Sequence, residues 1–223
     1  MDALYRVVFA AAAFLTGAVP FGYLAGRLLR GIDIREHGSR NVGATNVFRV
    51  VGKVPGLAVY LLDALKGFGP VLAAKALWPE YTVSGEWYYI LVAMAAIMGH
   101  VFTPYLGFKG GKGVATASGA MLALAPLPVL AALGVFAAVL GATGWVSLGS
   151  IAAAFAFPIS VAVELALRGK YPFTPVLAVG WFLTILVLVT HRANIVRLLQ
   201  GSEPRLFRKR NTREGGNGAN KLH

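Results

Sequence analysis

Cysteine is absent from the 223 residues, which excludes disulfides, iron–sulfur clusters, thiolate metal sites and a cysteine nucleophile. Acidic residues are scarce: 9 Asp and Glu stand against 21 Lys and Arg, a formal net charge of +12. Charge of either sign makes up only 13% of the chain, far less than soluble domains carry. The 4 histidines are dispersed and form no His-rich metal cluster. There is also no G-x-S-x-G nucleophile elbow.

Apolar residues fill the gap: 57% of the chain is hydrophobic and its mean hydropathy is +0.67. This composition predicts an all-α integral membrane protein, whose basic residues sit in loops at a membrane surface rather than on nucleic acid. The expected anionic partners are lipid headgroups and phosphorylated small molecules, with no obligate protein partner. The N-terminal stretch "MDALYRVVFAAAAFLTGAVPFGYLAG" lacks a clear small-residue cleavage site and reads as a retained first span. No soluble-domain boundary follows, so residues 1–210 read as one polytopic domain, with 211–223 a disordered tail or added residues.

A bilayer core about 30 Å thick needs about 20 apolar residues per helix. Residues 4–26, 54–77, 87–106 and 173–190 meet that length, while 113–167 divides at Pro126 and at "GATG" into three pieces, of which the first two are short. Of the 21 Lys and Arg, 15 fall in three segments: Arg27 to Lys53, "GFKGGKG" (Gly107 to Gly113), and Arg192 to Arg213. The positive-inside rule puts all three in the cytoplasm. That requires seven spans, N-terminus out and C-terminus in, and leaves the two cations of "RGKYP" outside. Within the spans, Asp63 and Lys66 are three residues apart and can pair on one helix face; either a functional site or a packing ion pair fits. Lys75 and Glu164 lie near span ends, where snorkelling is expected.

Three polar segments interrupt the apolar runs. "GSRNVGATN" (Gly38 to Asn46), with Arg49 just beyond, packs glycines, hydroxyls and amides as a phosphate nest would; an ordinary turn and helix cap uses the same residues. In "GHVFTPYLGFKGGKGVAT" (Gly99 to Thr116), Gly110, Gly111 and Gly113 interleave with Lys109 and Lys112. Leu106 and Gly113 break the Walker A pattern, which argues against nucleotide hydrolysis. In "HRANIVRLLQGSEP" (His191 to Pro204), His191, Asn194 and Arg197 share a helix face and Glu203 is the one acid among many cations. An interfacial helix with a lipid-bound basic tail is the plainer reading there.

Together and in this order, the three segments resemble those of the bacterial acyl-phosphate:glycerol-3-phosphate acyltransferase family, PlsY. The resemblance covers most of the chain. Arg40 departs from it, standing where the family commonly has Gly. It implies seven spans, a bacterial cytoplasmic membrane location with the site on the cytoplasmic face, and no metal or cofactor. It also implies transfer of an acyl group from acyl phosphate to the 1-hydroxyl of sn-glycerol 3-phosphate, giving lysophosphatidic acid and phosphate. No Asp stands at the H-x-x-x-x-D spacing that a different, large class of glycerolipid acyltransferases uses.

On that reading Ser39, Asn41, Gly43 and Asn46 bind the acyl phosphate, helped by Gly110 and Gly111. Arg49, Lys109 and Lys112 neutralise phosphate and developing charge. His191, Asn194 and Glu203 position glycerol 3-phosphate, with His191 or the substrate's own phosphate taking the proton. A transporter for a phosphorylated metabolite is the competing expectation, although no internal repeat supports it. A protein that only binds lipid through its basic face is another.

Overall fold

The computed structural model describes residues 2–79, 83–169 and 174–206, and among these every regular element is helical. The tail at 211–223, and parts of "RGKYP" and "RLFRKR", lie outside the described residues. The first apolar passage joins α1 (Asp2–Ala18) to α2 (Phe21–Arg30). A short α3 (Ala44–Val50) precedes two long helices, α4 (Lys53–Leu77) and α5 (Val83–Val101). Then come α6 (Val114–Leu122), α7 (Pro126–Thr143), α8 (Val146–Leu167), α9 (Pro175–Thr190) and α10 (Arg192–Leu199). Among the described residues five passages are long and apolar enough to cross a bilayer, and α9 with α10, bent by 64°, counts as a sixth when the pair is taken as one span. The protein is therefore a multi-pass membrane protein. With 9 residues, α6 rises about 14 Å, under half of a bilayer core.

Lipid tails are as apolar as leucine, so helices in a membrane associate by close packing. Residues Gly67 of α4 and Gly119 of α6 show how close. A Cβ on Gly67 would lie 2.1 Å from the Thr116 carbonyl oxygen, and one on Gly119 would lie 1.9 Å from that of Ala64. The two backbones touch, and only glycine permits it.

Asp63, Lys66, Lys75 and Glu164, the charges singled out within the spans, each have a partner. Lys66 Nζ lies 2.6 Å from Asp63 Oδ1, as the three-residue spacing predicts, and also donates to the Val19 carbonyl at 2.8 Å. That carbonyl sits where Pro20 breaks the helix between α1 and α2, so it has no helical donor of its own. Lys75, near the end of α4, donates its ammonium to the Ala123 carbonyl at the end of α6, at 3.0 Å. Glu164 instead pairs with Arg168 one turn on, at 2.5 Å.

One end of the bundle gathers the polar segments. Leu206 N–H donates to the Gly144 carbonyl in the turn between α7 and α8 at 2.7 Å. Trp145 Nε1 donates to the Glu203 carbonyl at 3.1 Å, and Arg49 donates to that of Pro204 at 3.1 Å. Thr190, at the end of α9, donates to the Lys112 carbonyl at 3.3 Å. The residues after α10 thus form a strap over the ends of α3, α7 and α8.

Replacing Gly119 with Val should destabilise the detergent-solubilised protein by about 2 kcal/mol or more, because neither backbone can retreat. Equilibrium unfolding in mixed detergent measures this, and an unchanged midpoint would contradict the close α4–α6 contact.

Candidate active site

The first loop is built around Asn46, which is buried. Its side-chain amide donates to backbone carbonyls at Ile34, His37 and Asn41, and its Oδ1 accepts from Ser39 N–H at 2.8 Å. Asn46 therefore spends its hydrogen bonds inside the loop and shapes it, while Ser39, Asn41 and Gly43 line the cavity it borders. Asn41 Oδ1 takes the Gly43 N–H at 2.9 Å, a local turn that leads into α3. Arg40 holds the left-handed conformation, with φ 59°, a region that costs a non-glycine residue roughly 1 kcal/mol.

In the second segment the two lysines separate. Lys112 lines the cavity, while Lys109 is exposed and Gly110 and Gly111 are not part of the lining. The glycines instead seat the loop on α5: their N–H groups donate to the Val101 and His100 carbonyls. A Cβ on Gly111 would meet His100 Nε2 at 2.1 Å. Both glycines thus support the loop, and neither they nor Lys109 are among the residues brought together around the cavity. The N-terminus of α6 begins at the cavity wall with Val114 and Ala115, adding the positive end of a helix dipole beside Lys112.

The third segment supplies His191, Asn194 and Glu203, all buried and all in the cavity wall. Glu203 is held from three sides: Asn194 Nδ2 at 2.6 Å, Ser147 Oγ at 2.8 Å and Arg197 Nε at 2.7 Å. Burial alone would raise its pKa, but these three donors outweigh it and keep the carboxylate ionised. The other end of Asn194 accepts from Lys112. Glu203 is thus an anchor rather than a free contact for a ligand.

Arg49 carries a buried Nε with no partner among the described residues, on a side chain that lines the cavity. Burial lowers its pKa, yet from so high a start that it stays cationic. Lys112 is pushed down to about 8, mainly by burial and further by Arg197 and Arg49. His191, just past the end of α9, is pushed down to about 4 by burial and then by Lys112. Its Nδ1 sits 2.9 Å from the Val187 carbonyl, which makes that nitrogen the N–H and leaves Nε2 as an acceptor.

The resulting cavity brings the three segments together. It also contains residues to which the sequence reading gave no site role, although His100 lies within the second segment and Asp63 was noted as paired with Lys66. Ser147 and Ser150 come from α8, Tyr60 and Asp63 from α4, and His100 from α5. Asp63 joins Lys66 to His100, whose Nδ1 is 3.6 Å from Asp63 Oδ1. A second cavity, almost wholly apolar, adjoins the first and shares Tyr60, Val114, Phe136 and Ser150 with it. Together they form an anionic-ligand pocket that opens into a hydrocarbon-lined groove. Among the described residues no cluster could hold a metal ion.

Comparison with known proteins gives one consistent result. Residues 7–201 match the family model described as glycerol-3-phosphate acyltransferase. The chain is 45% identical to the glycerol-3-phosphate acyltransferase of Geobacter sulfurreducens, over 91% of this chain and 98% of that one. It is 39% identical to that of Chlorobium phaeobacteroides, over 91% and 97%. Two solved structures of PlsY, an integral membrane glycerol 3-phosphate acyltransferase, superpose closely. The glycerol 3-phosphate form has a TM-score of 0.79 and 36% identity over 90% of this chain and 95% of that one. The lysophosphatidic acid form has a TM-score of 0.74 and 38% identity, over 92% and 95%.

The electrostatics make a prediction about inorganic phosphate. A bound dianion favours the ammonium form of Lys112, whose pKa stands at about 8, so affinity should hold below that pH and decline as pH rises through it. Calorimetric titration from roughly pH 7.5 to roughly pH 9.5 should show this limb in the parent and not in Lys112→Met. A flat profile in the parent would sink the assignment.

Proposed function

The chain belongs to the glycerol-3-phosphate acyltransferase family, and from that premise we propose that it moves an acyl group from acyl phosphate to the 1-hydroxyl of sn-glycerol 3-phosphate. The products are lysophosphatidic acid and inorganic phosphate. The observation that carries this reading is the joining of a cationic, donor-rich cavity to an apolar groove at one end of the bundle. Such a site suits a ligand with a phosphate head and a hydrocarbon tail. Neither a transporter nor a plain lipid binder accounts for the family match, and both competing readings are set aside.

Acyl phosphate is a mixed anhydride with a good leaving group, so the protein needs to align reactants and stabilise charge rather than form a covalent intermediate. In this scheme the donor phosphate rests against Ser39, Asn41 and Gly43, with Arg49 Nε and Lys112 neutralising it. The substrate hydroxyl oxygen bonds to the carbonyl carbon, the carbon–oxygen bond to the leaving phosphate breaks, and the hydroxyl proton passes to a phosphate oxygen. His191 is a poor proton acceptor near neutrality with its pKa at about 4, which favours a phosphate, whose second pKa is about 6. His191 Nε2 and Asn194 then position glycerol 3-phosphate, and Glu203 fixes Asn194. Ser147 donates its hydroxyl to Glu203, and Ser150, shared by the two cavities, donates to the Val146 carbonyl, so both support the wall of the site.

The same reading includes a seven-span topology in which α6 with its following turn makes a short crossing. It places the chain in the bacterial cytoplasmic membrane, with the three segments and the C-terminus on the cytoplasmic face and residues 1–210 as a single domain. Because the chain has no cysteine, single cysteines at Ser39, Thr143 and Ser202 report topology cleanly. All three should react with an impermeant maleimide only from the cytoplasmic side, and labelling of any one from outside would overturn the orientation.

Purified protein given palmitoyl phosphate and glycerol 3-phosphate should release phosphate and form lysophosphatidic acid in equal amounts. Arg49→Met and Lys112→Met should each lower kcat/KM by about 100-fold or more, whereas Lys109→Met should leave it within about twofold. Full activity in Lys112→Met would refute the proposed electrostatics.

A further inference from the structure

The apolar groove has a regular register. Its rim, shared with the polar cavity, includes Val114 of α6, Phe136 of α7 and Ser150 of α8, and Val187 of α9 lies one turn before His191. Its far end is lined by Met121, Val129, Phe157 and Gly180. On each of these four helices the far residue is seven positions from the rim residue. Seven residues of helix rise about 10.5 Å, the length of roughly eight methylenes of an extended chain.

Side-chain size changes along this path. The intermediate level, three or four residues in, carries Leu133 and Leu183 from α7 and α9 but only small residues, Ala117, Ser118, Ala153 and Ala154, from α6 and α8, with Ala132 beside them. Small groups there leave a bore. The far level is closed by bulk: Met121, Val129 and Phe157 are all buried in the main core cluster. Gly180 seats the Phe157 ring, since a Cβ there would stand 3.2 Å from Phe157 Cδ1. The floor is therefore packed, whereas Ala117, Ser118, Ala153 and Ala154 on the walls are only partly buried, which leaves an opening at the side.

We propose that Met121, Val129 and Phe157 set the depth of the acyl site and Ala117 and Ala154 its bore. The protein then reads only about the first eight carbons of the acyl chain, by the helical rise. The remaining carbons leave through the side of the groove into the bilayer. This rests on the acyl-phosphate reading above. Carbons that lie in hydrocarbon both before and after binding give no differential stabilisation, so discrimination between donors ends where the floor begins.

The test is kcat/KM for a series from butyryl to palmitoyl phosphate with glycerol 3-phosphate, the longer donors supplied at equal mole fraction in phosphatidylcholine vesicles. In the parent, values should climb to about eight carbons and then level off. Ala154→Leu narrows the bore from α8 and Ala117→Val narrows it from α6. Each should lower the dodecanoyl-to-butyryl ratio by about tenfold, with butyryl phosphate turnover reporting that the fold and polar cavity are intact. Phe157→Ala should move the plateau to longer donors. An even climb to palmitoyl in the parent, or an unchanged ratio in both narrowed variants, overturns the proposed depth alone. A parent inert toward every acyl phosphate would overturn the parent reading and this one with it.

Discussion

A carboxylate buried at the edge of a membrane must be matched by donors, and the Glu203 carboxylate organises this site because so many elements meet its need. Asn194, Ser147 and Arg197 all aim at it. Asn194 in turn receives Lys112, so the glycine loop, α8, α10 and the strap share one network. Removing a single member leaves another buried polar group unsatisfied, which costs more than the bond itself contributes. The arrangement fixes the lysine without neutralising it directly, since an amide stands between ammonium and carboxylate. Lys112 therefore keeps charge to offer a ligand.

The rest of the bundle serves that cluster under the rules of a lipid solvent. Backbone groups freed by helix breaks are answered by charged side chains, as Lys66 answers Val19 and Lys75 answers Ala123. Glycines bring α4 and α6 into backbone contact, which holds the N-terminus of α6 at the cavity wall. The polar cavity and the groove are two faces of one design constraint: a ligand that is anionic at one end and apolar at the other needs a site straddling the membrane boundary.

Much of this was legible in the sequence because the chemistry was concentrated in short segments. Ser39, Arg49, Lys112, His191, Asn194 and Glu203 all reach the cavity, and the i,i+3 spacing of Asp63 and Lys66 did produce an ion pair. Arg40 was noticeable as a departure from glycine, and its left-handed backbone explains why glycine belongs there. What sequence could not separate was contact from support. Gly110 and Gly111 look like ligand-facing glycines, yet they are required by the approach of the loop to His100. Asn46 looks like a donor to a ligand, yet its amide is used up by the loop backbone. Ser147 carried only a faint signal, a hydroxyl three residues before Ser150 on an otherwise alanine-rich span. Its partner Glu203 lies 56 residues away, a distance no local pattern bridges.

The strap has a consequence for how the protein comes into being. Glu203 and Pro204, which join the first, second and third segments, belong to the last stretch of the described chain. During synthesis, a nascent polypeptide would thread every apolar helix into the bilayer before the residues that complete the pocket left the ribosome. Half-made copies would hold a lysine and an arginine near the lipid surface with nothing to arrange them. Completion of the pocket would thus wait for the strap, so products terminated before Glu203 would be inserted yet inert.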